Sequence, residues 1–418
     1  MSYNYQNLFI FLIIFTSLIQ FWLSHRQVTH VLKNRIKVPT AFTNKITHTE
    51  HKKAADYTIA KTNLGKLDLI IQATFLYFLT LGGGINILNN LFSSTSSDSL
   101  IVGAAIIISA MLLSSLIDLP LSLYKIFIID ERFGFNKMTP NIFIQDLLKQ
   151  GFLSIIIGLP LIFISLWIIT NLGSFWWLWL WVFISLFNFS MLALYPLYIA
   201  PLFNKFNPLK DKKLKEKIEN LLKKCGFKSS GLFIMNGSLR SNHGNAYFTG
   251  FGKSKRIVFF DTLLDKLSHK EIEAVLAHEL GHFHHNHVKK RIALMFIISF
   301  IGLYLLSILK ESAIFYESLG VELMTDNSRN DANALLLFLL ISPLFIFFIK
   351  PFMAHYSREN EYEADKYACK YAKPKDLKQS LIKLYRDNAS TLTPDPLYSA
   401  FYDSHPSALM RINAIKKE

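Results

Sequence analysis

The chain has 418 residues, 51% of them hydrophobic, with 36 Phe, a mean hydropathy of +0.29 and a formal net charge of +15. Length alone would suggest two or three soluble domains. The hydropathy excludes an ordinary soluble protein, because several runs exceed the ~18 apolar residues that argue for a membrane span.

Seven spans are expected, at about 7–23, 68–92, 100–122, 152–170, 175–199, 291–309 and 333–352. The first lacks a basic leading region and a small-residue cleavage site, so it reads as an uncleaved span. Lys and Arg alternate across the spans. The loop after span one carries Arg26, Lys33, Arg35, Lys37 and more, whereas 93–99 and 171–174 carry none. The loop 123–151 is basic, 310–332 is mostly acidic (Glu311, Glu317, Glu322, Asp326, Asp331), and 200–290 and the tail are basic again. The positive-inside rule then predicts an external N-terminus, with 200–290 and the C-terminus in the cytoplasm. The net charge therefore records topology, and no nucleic-acid partner is expected. Cys225 and Cys369 both fall on the predicted cytoplasmic side, where a disulfide is not expected.

Residues 1–202 read as an N-terminal five-span membrane domain, and 203–418 as a second domain that includes spans six and seven. The polar insert 203–290 reads as mixed α/β. Asp211 to Cys225 is an amphipathic helix with Leu214, Ile218, Leu221 and Leu222 on one stripe, and Gly226 stops it. Strands are expected at Gly231–Met235, Asn245–Phe251 and Arg256–Phe260, the last two joined by a hairpin turn over Gly252–Lys255. A helix starts at Ser268, which forms a capping box with Glu271, and is expected to run straight into span six.

That helix carries A-H-E-L-G-H-F-H-H-N-H, Ala277 to His287. His278 and His282, at i and i+4, share a face and can meet one metal ion, and Glu279 beside them can take a proton from water. His284, His285 and His287 are expected to be solvent-facing or headgroup-facing bystanders. A zinc hydrolase needs a third protein ligand. A third His at the spacing H-E-x-x-H-x-x-G-x-x-H is absent, because Val288 stands at its place. The alternative is a downstream Glu. His282 lies nine residues before span six, and Glu361 nine residues after span seven. If both antiparallel helices continue past the membrane, equal offsets bring the two side chains to one height, roughly 13 Å beyond the span ends. Asp365, at i+4 from Glu361, is placed to accept the second ring N–H of a ligating histidine. Glu359 and Glu363 are expected on other faces.

H-E-L-G-H followed, after a span pair, by S-R-x-x-E-x-x-A-D resembles the type I CAAX prenyl endopeptidases, integral-membrane zinc metalloproteases. Arg132–Met138, Asn245–Phe251, Arg256–Leu264 and Ser404-His-Pro-Ser-x-x-x-Arg411 agree, so the resemblance covers nearly the whole chain. Five spans before the insert argue against the shorter heat-shock-type membrane metalloproteases. Ser407 stands where relatives often carry a second Pro. The resemblance implies a mainly α, multi-pass seven-span helical barrel around a water-filled chamber, with a small α/β gluzincin-like zinc-protease insert at its cytoplasmic end. It implies one Zn2+ per chain on His278, His282 and Glu361, with Glu279 as general base and His405 and Arg411 as catalytic groups near the reacting carbonyl. Asn245 and Ala246 would begin a substrate-binding edge strand. The implied partners are a peptide or lipidated protein substrate and the lipid bilayer, and no oligomer is required. The implied reaction removes a C-terminal tripeptide after an isoprenylated cysteine.

Two rivals are weighed against this. A transporter or channel would need intramembrane charges in the first five spans, and Asp118 before Pro120 is the main one. A bacterial-type quality-control protease would share the chemistry without needing a prenyl group. The membrane itself is left as the bacterial inner membrane or the endoplasmic reticulum, since Ile415–Glu418 is one place off a dilysine retrieval signal.

Overall fold

Apolar runs long enough to span a bilayer dominate the architecture seen in the computed structural model, which describes residues 2–93, 96, 98–249 and 255–415. Six single helices among the described residues are long and apolar enough to cross a membrane: Asn4–Asn34, Ser99–Asp130, Pro140–Asn171, Gly173–Phe203, His287–Leu309 and Asn327–Tyr371. The expected second span is a broken one. His48–Leu79 and Gly84–Ser93 meet at a 50° bend, where Gly83 takes φ +78°, a left-handed conformation glycine adopts without strain.

The helices outrun the apolar stretches that announced them. Hydropathy marks where a chain leaves lipid, but a helix continues wherever its backbone bonds and packing persist. The longest, Asn327–Tyr371, has 45 residues despite Pro343 and Pro351 within it. At ~1.5 Å per residue it runs roughly 67 Å, enough to cross a bilayer and project well beyond it.

The expected continuous helix into span six is not observed. His269–His284 ends, Asn286 sits at φ 57°, ψ 29°, and a new helix starts at His287. Asn tolerates this left-handed region better than most residues, so the chain turns there. The capping box of Ser268 and Glu271 is present. The amphipathic helix is Lys212–Lys224, with Leu214, Ile218, Leu221 and Leu222 buried, and Gly226 at φ +65° ends it.

The insert contains a four-stranded sheet of order β1-β2-β4-β3: β1 Phe206–Pro208, β2 Leu232–Met235, β3 Ala246–Thr249 and β4 Arg256–Phe260. β1 had no sequence signal. β2 and β4 are parallel, and β3 pairs antiparallel with β4. Among the described residues no strand pairs with the far edge of β3. Gly250, Phe251 and the turn over Gly252–Ser254 lie outside the described residues, as do Lys416–Glu418. Two charge clasps tie insert and tail to the membrane helices: Arg240 donates to both oxygens of Asp146 at 2.7 and 2.8 Å, and Arg26 to both oxygens of Asp395 at 3.3 and 3.0 Å.

The helix His269–His284 crosses the end of Asn327–Tyr371 at Gly281. A Cβ there would come within 2.8 Å of the Ala364 Cα, closer than real Cβ atoms approach backbone. Gly281→Val should force the two helices apart. We expect a stability loss of about 1–3 kcal/mol, typical of overpacking, together with reduced metal content, measured by thermal unfolding and elemental analysis of the purified protein.

Candidate metal centre

The Gly281–Ala364 contact sets what the two helices can bring together. One contributes His278 and His282, and the other contributes Glu361 and Asp365. His278 Nε2 and His282 Nε2 lie 3.2 Å apart. His278 Nε2 is 3.4 Å from Glu361 Oε2, and His282 Nε2 is 3.2 Å from Glu361 Oε1. Bonds of ~2.1 Å to a tetrahedral ion place its donors about 3.4 Å apart, so the spacing fits zinc. Glu361 Oε2 is also a buried oxygen that accepts no aligned hydrogen bond, its contact with Arg411 being an ion pair alone, and a bound cation would satisfy it.

The tautomers follow from the outer contacts. His278 Nδ1 is 2.8 Å from Asp365 Oδ1, so its Nδ1 proton is held there and Nε2 is directed at the metal position. Arg411 donates to both Asp365 oxygens at 2.8 and 2.6 Å, and its Nη1 is 3.2 Å from Glu361 Oε2. Its guanidinium is buried and committed to these two carboxylates. His405 is placed differently. Its Nε2 is 3.4 Å from Glu361 Oε1 while its side chain stays 60% exposed, and its Nδ1 is 3.0 Å from Ser404 Oγ.

His287 corrects the bystander expectation. It is only 4% exposed. Its Nδ1 is 2.9 Å from His282 Nδ1, and its Nε2 is 2.8 Å from Glu363 Oε2. With His282 Nε2 reserved for metal, His282 donates from Nδ1 to His287, which donates from Nε2 to Glu363. Burial lowers the His287 pKa and keeps the ring neutral for this role, against the opposing pull of Glu363. The residues were visible in the sequence, but an uninterrupted helix would turn His287 elsewhere. The left-handed Asn286 swings it back. His284 is exposed, as expected.

His278, Glu361, His405 and Arg411 stand in the wall of a cavity of about 790 Å³ that also touches Asn245, Ala246 and the first two helices. Glu279 lines it, and burial raises its carboxyl pKa, against the pull of His278 and His282. The Phe260 N–H bonds to the Asn245 carbonyl, while Ala246 stands opposite Phe259. That makes Ala246–Phe259 a non-hydrogen-bonded pair, so the Ala246 N–H and C=O turn to the far edge. The Asn245 side chain caps that N–H at 2.8 Å.

Residues 208–418 match the model of peptidase family M48, and residues 27–205 match one described as the CAAX prenyl protease N-terminal region with five membrane helices. The chain belongs to peptidase family M48. It is similar to CAAX prenyl protease 1 homolog of Arabidopsis thaliana, 38% identical over 310 residues that cover 73% of this chain and 71% of the relative. CAAX prenyl protease 1 of Saccharomyces cerevisiae is 37% identical over 314 residues, 72% of this chain and 69% of that one. The crystal structure of S. mikatae Ste24p matches with a TM-score of 0.91 at 29% identity, covering 98% of this chain and 99% of that chain. This M48 peptidase is thus a multi-pass membrane metalloendopeptidase, and the transporter reading falls away.

Two outcomes follow from the M48 site. Burial pushes the His278 imidazole down, but its contacts with Asp365 and Glu361 outweigh this and hold its pKa at about 9. Below that pH a metal must displace a proton, so loading the stripped enzyme should release about one proton per ion from this ring. Affinity should strengthen with pH up to about 9, as titration calorimetry in buffers of different ionisation enthalpy would show. His287→Ala should weaken metal binding roughly 10–100-fold, as loss of such outer partners does, measured by competition with a chelator.

Proposed function

We propose that this chain removes the C-terminal tripeptide from isoprenylated CAAX-type proteins, using one zinc ion on His278, His282 and Glu361. The observation that carries this reading is the convergence of those donors beside the far edge of β3, in a cavity that reaches the membrane spans. A greasy, membrane-held chain end can enter there. The relatives named CAAX prenyl protease 1 support the substrate class. The distribution of Lys and Arg supports a cytoplasmic site and C-terminus.

Bound at these donors, zinc supplies Lewis-acid activation of the water and the scissile carbonyl. The chain's residues supply the rest. The substrate adds as a strand along Asn245 to Phe248, with the outward C=O of Ala246 fixing register and the Asn245 side chain yielding the Ala246 N–H to the peptide. Glu279 accepts the water's proton and passes it to the leaving amine, a task helped by a carboxyl made more basic through burial. With the Ser404 hydroxyl at Nδ1, His405 presents Nε2–H beside Glu361 Oε1, at the metal position, where it can donate to the oxyanion. Arg411 acts mainly through Asp365 and Glu361, holding both carboxylates in place.

Glu279→Gln should retain metal and lower kcat by roughly 10²–10⁴-fold, the usual weight of general acid–base catalysis. Turnover at the wild-type rate in that variant would remove Glu279 from the mechanism. A farnesylated CAAX peptide should be cut far better than its unprenylated twin in detergent. Equal cleavage of both would favour a quality-control protease instead.

A further inference from the structure

We infer that Lys61 anchors the substrate's free C-terminal carboxylate and so helps to set the length of the peptide removed. The inference rests on the CAAX reading above and extends it. Antiparallel pairing is slightly the more stable per residue, so a peptide added to β3 runs opposite to it. Its C-terminus then points back past Asn245 towards Gly244 and His243. Three residues beyond the scissile bond reach about 10 Å at ~3.3 Å per residue, beyond the start of the strand.

The second-span helix forms the cavity wall at that end. Lys61 lines the same cavity as Gly244 and Asn245, and it and Arg411 are the two Lys or Arg side chains that do. Arg411 is spent on Asp365 and Glu361. Lys61 makes no ion pair among the described residues. Its Nζ lies 4.2 Å from the centre of the Tyr57 ring, and that ring lies 6.3 Å from the ring of His243. The Tyr57 hydroxyl in turn donates to Asp130 at 2.8 Å, which holds that carboxylate on the Tyr57 side without an ion pair to Lys61. Lys61 is thus a cation on the cavity wall, beside the strand start, with no carboxylate at ion-pair distance among the described residues. Its fixed surroundings support this use. The segment before β3 is pinned by Asn242 N–H to the Phe135 carbonyl at 3.1 Å and by Gly244 N–H to Asn388 Oδ1 at 3.1 Å. A bond from Lys61 to a terminal carboxylate would be charge-assisted, the stronger kind of hydrogen bond.

The test compares two farnesylated peptides of one sequence, one with a free C-terminal carboxylate and one with a C-terminal amide. Both are given to the full-length chain in detergent. The wild type should favour the acid by roughly tenfold or more in kcat/KM, mostly through KM. Lys61→Met should bring that ratio close to one, and Lys61→Arg should keep a preference for the acid. The ratio is the readout, because a merely structural loss lowers both substrates together. A wild type that cuts acid and amide equally overturns the anchor, and so does Lys61→Met with an unchanged ratio. A wild type that cuts neither peptide overturns the prenyl-substrate reading and the anchor with it.

Discussion

The close crossing of two helices at Gly281 and Ala364 is the constraint on which the rest of the site depends. Imidazole and carboxylate donors must stand within a few tenths of an ångström of their places to share an ion. Side chains of this length can do so only if their helices nearly touch, and a glycine facing a buried alanine permits that. The 45-residue helix carries Glu361 away from the membrane on a rigid rod. The other helix meets it from the soluble insert, where a capping box fixes its start. The glycine of H-E-L-G-H thus has a packing reason as definite as the chemical reason for its histidines.

Charge balance explains what surrounds the crossing. Glu361, Asp365 and Arg411 are all buried, and buried charges persist only when paired and hydrogen-bonded. Two carboxylates and one guanidinium leave a single negative charge, and Glu279 brings another. A divalent cation neutralises the set. Arg411 comes from Ala408–Ile415, close to the end of the described chain. The last helix is therefore part of the active-site wall, and truncating it would strip the carboxylates of their counter-ion. The clasp between Arg26 and Asp395 fastens the same tail to the first span.

Much of this was legible in the sequence because it follows periodicity. Spans, the amphipathic helix, the capping box and the H-E-x-x-H pair are all local patterns. Glu361 was reached by an offset argument whose premise held on only one side. The seventh-span helix does continue to the ligand, but the sixth breaks at Asn286. The histidines and Glu361 meet because the helices cross, not because two straight rods rise to equal height. The same break hid His287 and Glu363, since one left-handed residue resets the helical phase and no periodic rule carries across it. β1, three residues long, was missed because its pairing with β2 comes from tertiary contact. The outward C=O and N–H of Ala246 depend on strand register, which a sequence with a plausible hairpin does not specify alone.

The first two spans carry a feature that hydropathy averaging obscures. Thr58, Lys61, Thr62, Gly65 and Asp68 face the cavity, as do Gln20, Ser24 and Gln27 of the first helix. Both sets recur at three- and four-residue intervals, so each is one stripe of its helix. On the other side, Leu18, Phe21 and Trp22, and Ile70, Tyr77 and Phe78, are exposed. A helix in lipid with a polar stripe is stable only when that stripe meets protein or water. Part of the first stripe meets protein, since Gln27 accepts from the Asp395 N–H at 2.7 Å, and most of both stripes lies past the apolar runs 7–23 and 68–92, where the two helices continue beyond the spans. The cavity wall is thus polar where these two helices leave the membrane, while their exposed apolar side chains suit contact with lipid.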